Sequence, residues 1–231
     1  MICSSGIGAR SGSVRVRGME DLLAGYRRFR REIYPAHGET YRTLACEGQS
    51  PKIMVIGCCD SRVDPAAIFD AGPGALFVLR NVANLVPPYA ADGGHHGTSA
   101  AIEFAVGALG VDHILVLGHA SCGGIRALVS GTGSAGDDES HIGRWMSIAR
   151  PALEAAHTDP GAPEGDELAH LLEKAAIGHS LANLEGFPVV RKAIAGRGLQ
   201  LHGAWFDIET GSLHLLDRSG GVFRPVAAGS P

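Results

Sequence analysis

A chain of 231 residues can form one large α/β domain or two small ones, and at 45% hydrophobic and 19% charged it can bury a substantial core. A net charge of −4 without a basic stripe excludes nucleic acid as an expected partner. No apolar run approaches the ~20 residues of a membrane-spanning helix, so no membrane partner is expected.

Met1 to Arg17 lack the apolar centre of a secretory signal. The five cysteines, two of them adjacent, make a poor disulfide framework and suit a reducing, cytoplasmic setting. Residues 1–18 are rich in Gly, Ser and Arg and read as a mobile tail, with Cys3 an exposed thiol and Met19 a candidate natural start. Residues 19–231 are expected to form a single domain.

Leu22, Tyr26, Phe29 and Ile33 lie on one helical face, and Arg27, Arg28, Arg30 and Arg31 beside it read as a solvated surface. Pro35 is expected to end that helix, with a second over Thr40–Glu47. Strands are expected at Lys52–Ile56, Leu76–Leu79 and His113–Leu117, each an apolar run, with a short helix near Ala66–Phe69. Thr98 or Ser99 is the expected cap of a helix carrying Ile102, Ala105, Val106 and Leu109. Later helices are expected from Gly123, over His141–His157, over Glu167–Leu184 with Leu168, Leu171, Leu172 and Ala175 on one side, and from Pro188 to Ile194. Leu201–Ile208 and Leu213–Asp217 flank a hairpin turn. The fold class is therefore α/β: a mostly parallel central sheet flanked by helices, with an antiparallel hairpin at the C-terminal edge.

Two motifs stand where parallel strands end, the usual ligand edge of such sheets: Gly57-Cys58-Cys59-Asp60-Ser61-Arg62 and Gly118-His119-Ala120-Ser121-Cys122-Gly123-Gly124. Two thiols and an imidazole arriving together suggest a metal site, with zinc the first candidate. His119 and Cys122 can reach one ion from a turn, and one of Cys58 and Cys59 supplies the third ligand. Adjacent residues of an extended segment face opposite sides, so only one of the two binds, and spacing leaves open which. Two thiolates and an imidazole leave a fourth position for water or a carboxylate. Arg62 can fork onto Asp60, keeping it ionised either to orient a bound water or to bind the metal itself. Gly123 and Gly124 offer backbone N–H groups at a helix start, a site for an oxyanion or simply a tight turn. His95 and His96 read first as a polar loop and second as proton carriers.

These motifs, with Phe77–Tyr89 and Ala101–Val106, resemble the β-class carbonic anhydrases, specifically their plant-like branch, over roughly residues 20–220. The resemblance implies zinc-dependent reversible hydration of carbon dioxide to bicarbonate by a zinc-bound hydroxide. It implies Cys58, His119 and Cys122 as ligands, with Cys59 in a variable position. Asp60 and Arg62 match a catalytic dyad, and in some members the matching Asp takes the fourth zinc position in a closed form. Gln49 and the Gly123 N–H match contacts to bound substrate or anion. Phe77 and Phe104 match residues lining the apolar pocket, Phe104 replacing a tyrosine common in plant members. Members with an inhibitory bicarbonate site carry a Trp where Val55 stands, so an open site is implied. A homodimer or homotetramer is implied, its N-terminal helices embracing the partner. The alternatives are a carbon disulfide or carbonyl sulfide hydrolase of the same fold, and a non-catalytic zinc-stabilised structural protein.

Overall fold

Ile53–Cys58 (β1) and His113–His119 (β3) are the apolar runs expected from sequence, but each continues into its motif, so that Cys58 and His119 are the last residues of their strands. The computed structural model describes residues 16–92, 94–132, 139–158, 161 and 163–227. Most of the expected tail, Cys3 included, and the middle of the Ser130–Ser140 loop lie outside the described residues. The chain divides into two compact units, Met1–Gly48 and Gln49–Pro231.

In the first unit, helix α1 (Met19–Arg28) runs through a π-helical turn (Phe29–Ile33) into α2 (Tyr34–Glu47). Pro35 does not end the helix, as expected from sequence, but sits in the first turn of α2, where a missing N–H costs little. The wider π turn absorbs the mismatch: Tyr34 N–H bonds to the carbonyl of Phe29, five residues back. It also brings Phe29 edge-on to Tyr34 at 6.0 Å, while Tyr34 stacks on Tyr41 at 5.4 Å. Leu22, Tyr26 and Ile33 remain exposed.

In the second unit, six strands among the described residues form one sheet in the order β2-β1-β3-β4-β5-β6. β2 (Leu76–Asn81), β1, β3 and β4 (Gln200–Phe206) are parallel; β5 (Leu213–Asp217) and β6 (Val222–Pro225) are antiparallel. The expected antiparallel C-terminal edge is present and carries one strand more, β6, missed from sequence because it is four residues long and ends in a proline, a residue tolerated at sheet edges. Asp64 caps the short α3 (Pro65–Ile68) by accepting from the Ala66 and Ala67 N–H groups. Neither Thr98 nor Ser99 caps α4 (Gly97–Glu103): Thr98 lies inside the helix, and its hydroxyl accepts from Asn81 Nδ2 at 3.3 Å. The remaining helices are α5 (Gly123–Ser130), α6 (His141–Met146), α7 (Arg150–His157), α8 (Gly165–Gly186) and α9 (Pro188–Arg197).

Helix α8 packs on β3 and β4 at close range. A Cβ at Gly118 or Gly203 would lie 2.7 Å from Ile177, so two glycines on neighbouring strands open the seat that Ile177 occupies. That seat sets the rotation of α8. Its buried face carries Leu168, Leu172, Glu173, Ala176 and Ile177, while Leu171, expected inside, is exposed. Three apolar clusters hold the sheet and its helices together, one around Ile56, Ile102 and Phe187, a second around Leu85, Met146 and Leu172, and a small third of Val55, Leu117 and Ala204. Cys58 and Cys122 belong to the second cluster. Among the described residues no helix is long and apolar enough to cross a membrane.

Candidate metal centre

Parallel pairing of β1 with β3 sets Gly57 opposite Leu117, so both strands end at one level and deliver their motifs to one place. Cys58, the last residue of β1, is buried and Cys59 is exposed, as the alternation of side chains along a strand requires. After β3 the chain turns tightly. Ser121 has φ 56°, a left-handed conformation unusual for a residue with a side chain, and it swings Cys122 back toward His119 at the start of α5.

Cys58, His119 and Cys122 are all buried, and one ligand atom of each lies within 4.8 Å of the others. His119 Nδ1 donates to the Ala120 carbonyl at 2.9 Å, which leaves Nε2 with its lone pair free. Nε2 is buried and has no hydrogen-bond partner among the described residues. A buried polar atom without a partner costs free energy, and a cation between it and the two sulfurs removes that cost. The donor set, two sulfurs and one imidazole nitrogen with room for a fourth ligand, fits zinc.

Hydrogen bonding from the Cys122 thiol, with the His119 ring close by, holds Cys58 below the usual thiol range, against the opposing effect of burial. Cys122 is pushed up because the Cys58 thiolate faces it and because it is buried. A divalent cation would take both sulfurs as thiolates and so release thiol protons on binding. Burial opposes charge on His119, but the Cys58 sulfur and the Ala120 carbonyl together, with Asp60, more than offset it and the imidazole is shifted upward.

Asp60 is not in this group. Arg62 donates to it from Nε at 2.9 Å, from Nη2 at 2.8 Å and from its own backbone N–H at 2.9 Å. These bonds, the side-chain pair foremost, hold the carboxyl well below the usual carboxylate range. Both Asp60 oxygens are thus engaged by Arg62. The Arg62 Nη2 also donates to the Ser121 carbonyl at 3.0 Å, tying the two motifs together.

Gln49, Phe77 and Phe104 do not meet this group within one chain. Phe77 pairs with Met54, four residues before Cys58 along β1, or about 13 Å at strand rise. It packs on Phe104, ring centroids 5.9 Å apart, and Phe104 is 49% exposed. Gln49 is exposed and precedes the start of β1, the end away from Cys58. Gly123 opens α5 directly after Cys122, with open space where a Cβ would stand. His95 and His96 line a cavity of about 950 Å³ shared with Cys59, Asn81 and Trp145. His96 is also paired with Asp92.

Two residues that sequence reasoning passed over hold the ligands in place. Arg80 at the end of β2 donates to the carbonyls of Cys58 at 2.9 Å and Asp60 at 2.7 Å, fixing the first motif. Glu173 of α8, 4% exposed, accepts the Cys122 N–H at 3.0 Å. The available signal was a charge on the buried stripe of a helix, three and four residues before Ala176 and Ile177.

Fold and site together define an α/β protein with a buried Cys-His-Cys group suited to zinc at the carboxyl ends of adjacent parallel strands. The carbonic anhydrase family model matches residues 53–213. The chain is 39% identical over 188 residues to β carbonic anhydrase 5, chloroplastic, of Arabidopsis thaliana, covering 81% of this chain and 61% of that protein. The chain therefore spans less than two thirds of that plant relative's length. The solved β-carbonic anhydrase CcaA superposes with a TM-score of 0.84 at 30% identity, over 91% of this chain and 93% of that one. One of two tetrameric β-carbonic anhydrases from Sordaria macrospora superposes with a TM-score of 0.65 at 31% identity, over 86% and 93%. The chain belongs to the β-class carbonic anhydrases, a family of zinc enzymes.

Proposed function

We propose that this chain catalyses the reversible hydration of carbon dioxide to bicarbonate and a proton, with Cys58, His119 and Cys122 as the zinc ligands. The observation that carries this reading is the buried, unpartnered Nε2 of His119 facing two sulfurs. Zinc bound there supplies a water acidified toward neutral pH as the nucleophile.

The chain's own residues do the rest. The two thiolates balance the charge of the ion, and the set of three leaves one position for that water. Asp60, kept ionised by Arg62, would accept a hydrogen bond at its carboxylate from such a water and so orient it. Arg62 holds Asp60 in register with the second motif through the Ser121 carbonyl. Arg80 fixes the backbone on either side of Cys59. The Gly123 N–H, at the start of α5, suits a negatively charged oxygen of bicarbonate.

Gln49, Phe77 and Phe104 serve the site of a second copy of the chain, since the strand geometry keeps Phe77 away from its own. The exposed Phe104 and the exposed apolar residues of α1 support a homodimer or homotetramer. Sedimentation analysis that returns a monomer at micromolar concentration contradicts that part of the reading. The free cysteines among the described residues support a reducing compartment such as the cytoplasm.

Stopped-flow hydration of carbon dioxide, with and without a zinc chelator, tests the activity. The expected result is turnover that the chelator abolishes and added zinc restores. Hydrolysis of carbon disulfide or carbonyl sulfide without carbon dioxide turnover overturns the proposed substrate.

A further inference from the structure

We infer that Glu173 is a positioning residue of the metal centre: its buried carboxylate fixes the peptide of Cys122 so that the thiolate faces the ion. This rests on the three-ligand reading above and goes beyond it to a residue in neither motif.

The turn from His119 to Cys122 is held by three contacts from three elements. The Ala120 N–H donates to the Phe206 carbonyl at the end of β4 at 2.9 Å, and the Ser121 carbonyl accepts from Arg62. The Cys122 N–H donates to Glu173 Oε1 on α8 at 3.0 Å. The second and third contacts hold the two ends of one peptide, Ser121–Cys122, Arg62 at its carbonyl and Glu173 at its N–H, and only the third is made by a buried side chain. With Ser121 in a left-handed conformation, the orientation of Cys122 depends on what holds the peptide just after it.

Glu173 is itself fixed from the other side. Oε2 accepts from the indole N–H of Trp205 at 3.3 Å, and Trp205 stands opposite Gly118 in the β3–β4 register. Lys174 lies 4.3 Å over the Trp205 ring, and His170 Nδ1 is 3.7 Å from Oε2. Ile177, one turn further along α8, occupies the seat opened by Gly118 and Gly203 and so sets how far Glu173 reaches. A carboxylate is costly to bury, and for packing alone an apolar side chain would fill this position without that cost. Both its oxygens are spent on N–H groups around the ligand-bearing turn. Removing such partners of metal ligands typically weakens metal binding by 10–100-fold.

The test uses the zinc-loaded full-length protein and measures transfer of zinc to a chromogenic chelator, together with the thermal midpoint of each variant. Glu173→Ala and the isosteric Glu173→Gln are both made, so that a folded variant is available if alanine disrupts the helix packing. Ser180→Ala is the control, because Ser180 is buried on the same helix and accepts the Val86 N–H at 3.2 Å, away from the ligands. The expected result is zinc affinity reduced by about 10–100-fold in the Glu173 variants, alanine the worse. Their cobalt(II) forms should show displaced d–d bands. Ser180→Ala should lower the thermal midpoint while holding zinc as the unaltered chain does. Glu173 variants that retain unaltered zinc affinity and cobalt spectra overturn the proposal, and so does an equal loss of zinc in Ser180→Ala. An unaltered chain that binds no zinc overturns the ligand assignment instead, which keeps the two failures apart.

Discussion

Arg62 meets Asp60 as a fork meets a carboxylate, Nε on Oδ1 at 2.9 Å and Nη2 on Oδ2 at 2.8 Å, with the two residues only two positions apart in the chain. Exposed ion pairs contribute little to stability, and Arg62 is half exposed. The pair matters for what it does to Asp60: it fixes the carboxylate plane and keeps the group ionised beside a buried metal centre.

Asp60→Asn should therefore leave zinc in place and slow carbon dioxide hydration by at least about 10²-fold, the usual scale of a positioned proton acceptor. Elemental analysis and stopped-flow assay of the same preparation check this. Turnover at the unaltered rate removes Asp60 from the mechanism.

The adjacent cysteines should behave as opposites. Cys58→Ala removes a buried ligand and should abolish stoichiometric zinc, whereas Cys59→Ala alters an exposed side chain and should keep it. Full zinc occupancy in the Cys58 variant refutes the assignment.

The pH dependence of stability has a definite sign. Asp60 titrates lower in the folded chain than its unfolded value of ~3.9, so the stability it contributes is fully present above that value. That contribution is lost only as pH falls through the lower, folded value. The difference in urea midpoint between the metal-free chain and its Arg62→Ala variant should be flat from pH 7 down to about 4 and shrink in stronger acid. A gap that widens as the solution is acidified would falsify the linkage.

Gly203→Ala tests the seat of α8. The added methyl would meet Ile177 at 2.7 Å and Leu181 at 3.1 Å, both well-packed core residues. Overpacking of this kind costs about 1–3 kcal/mol, readable as a lowered denaturant midpoint with an unchanged slope. An equally stable variant means the helix can move away from the sheet without penalty.

Removing the ion should destabilise the chain, because zinc binds the folded site and not the separated strands. At a free zinc level one hundred times the dissociation constant the stabilisation is about 2.7 kcal/mol, so a strong chelator should lower the thermal midpoint and added zinc should restore it. A midpoint indifferent to both means the three side chains do not hold the metal.

Much of this was legible in the sequence, for a definite reason. A buried parallel strand is a short apolar run, and whatever follows it lands on the ligand edge of the sheet, so His119, Cys122 and one of Cys58 and Cys59 could be placed together from the pattern, while the choice of Cys58 came from the family resemblance. What could not be read depends on contacts between distant segments. Glu173 looks like an ordinary helix-surface charge until the two strand glycines fix how α8 is turned. Arg80 looks like a strand-end cation until its neighbour strand supplies the carbonyls it binds. Thr98 has the composition of a helix cap, but Asn81 engages its hydroxyl instead. Pro35 is a helix breaker by habit, and the π turn before it removes the conflict. Phe77 and Phe104 match the family resemblance by residue type, and β2 sets Phe77 beside Met54, away from the ligands of its own chain.

The ligands are split between β1 and β3, strands that touch in the sheet but are separated in sequence by β2, α3 and α4. No short peptide cut from this chain contains all three donors, unlike a zinc finger whose ligands lie close together. Loading with metal is thus a late event in the life of the polypeptide, open only to molecules whose central strands have already paired, and zinc captured at full strength certifies a finished sheet.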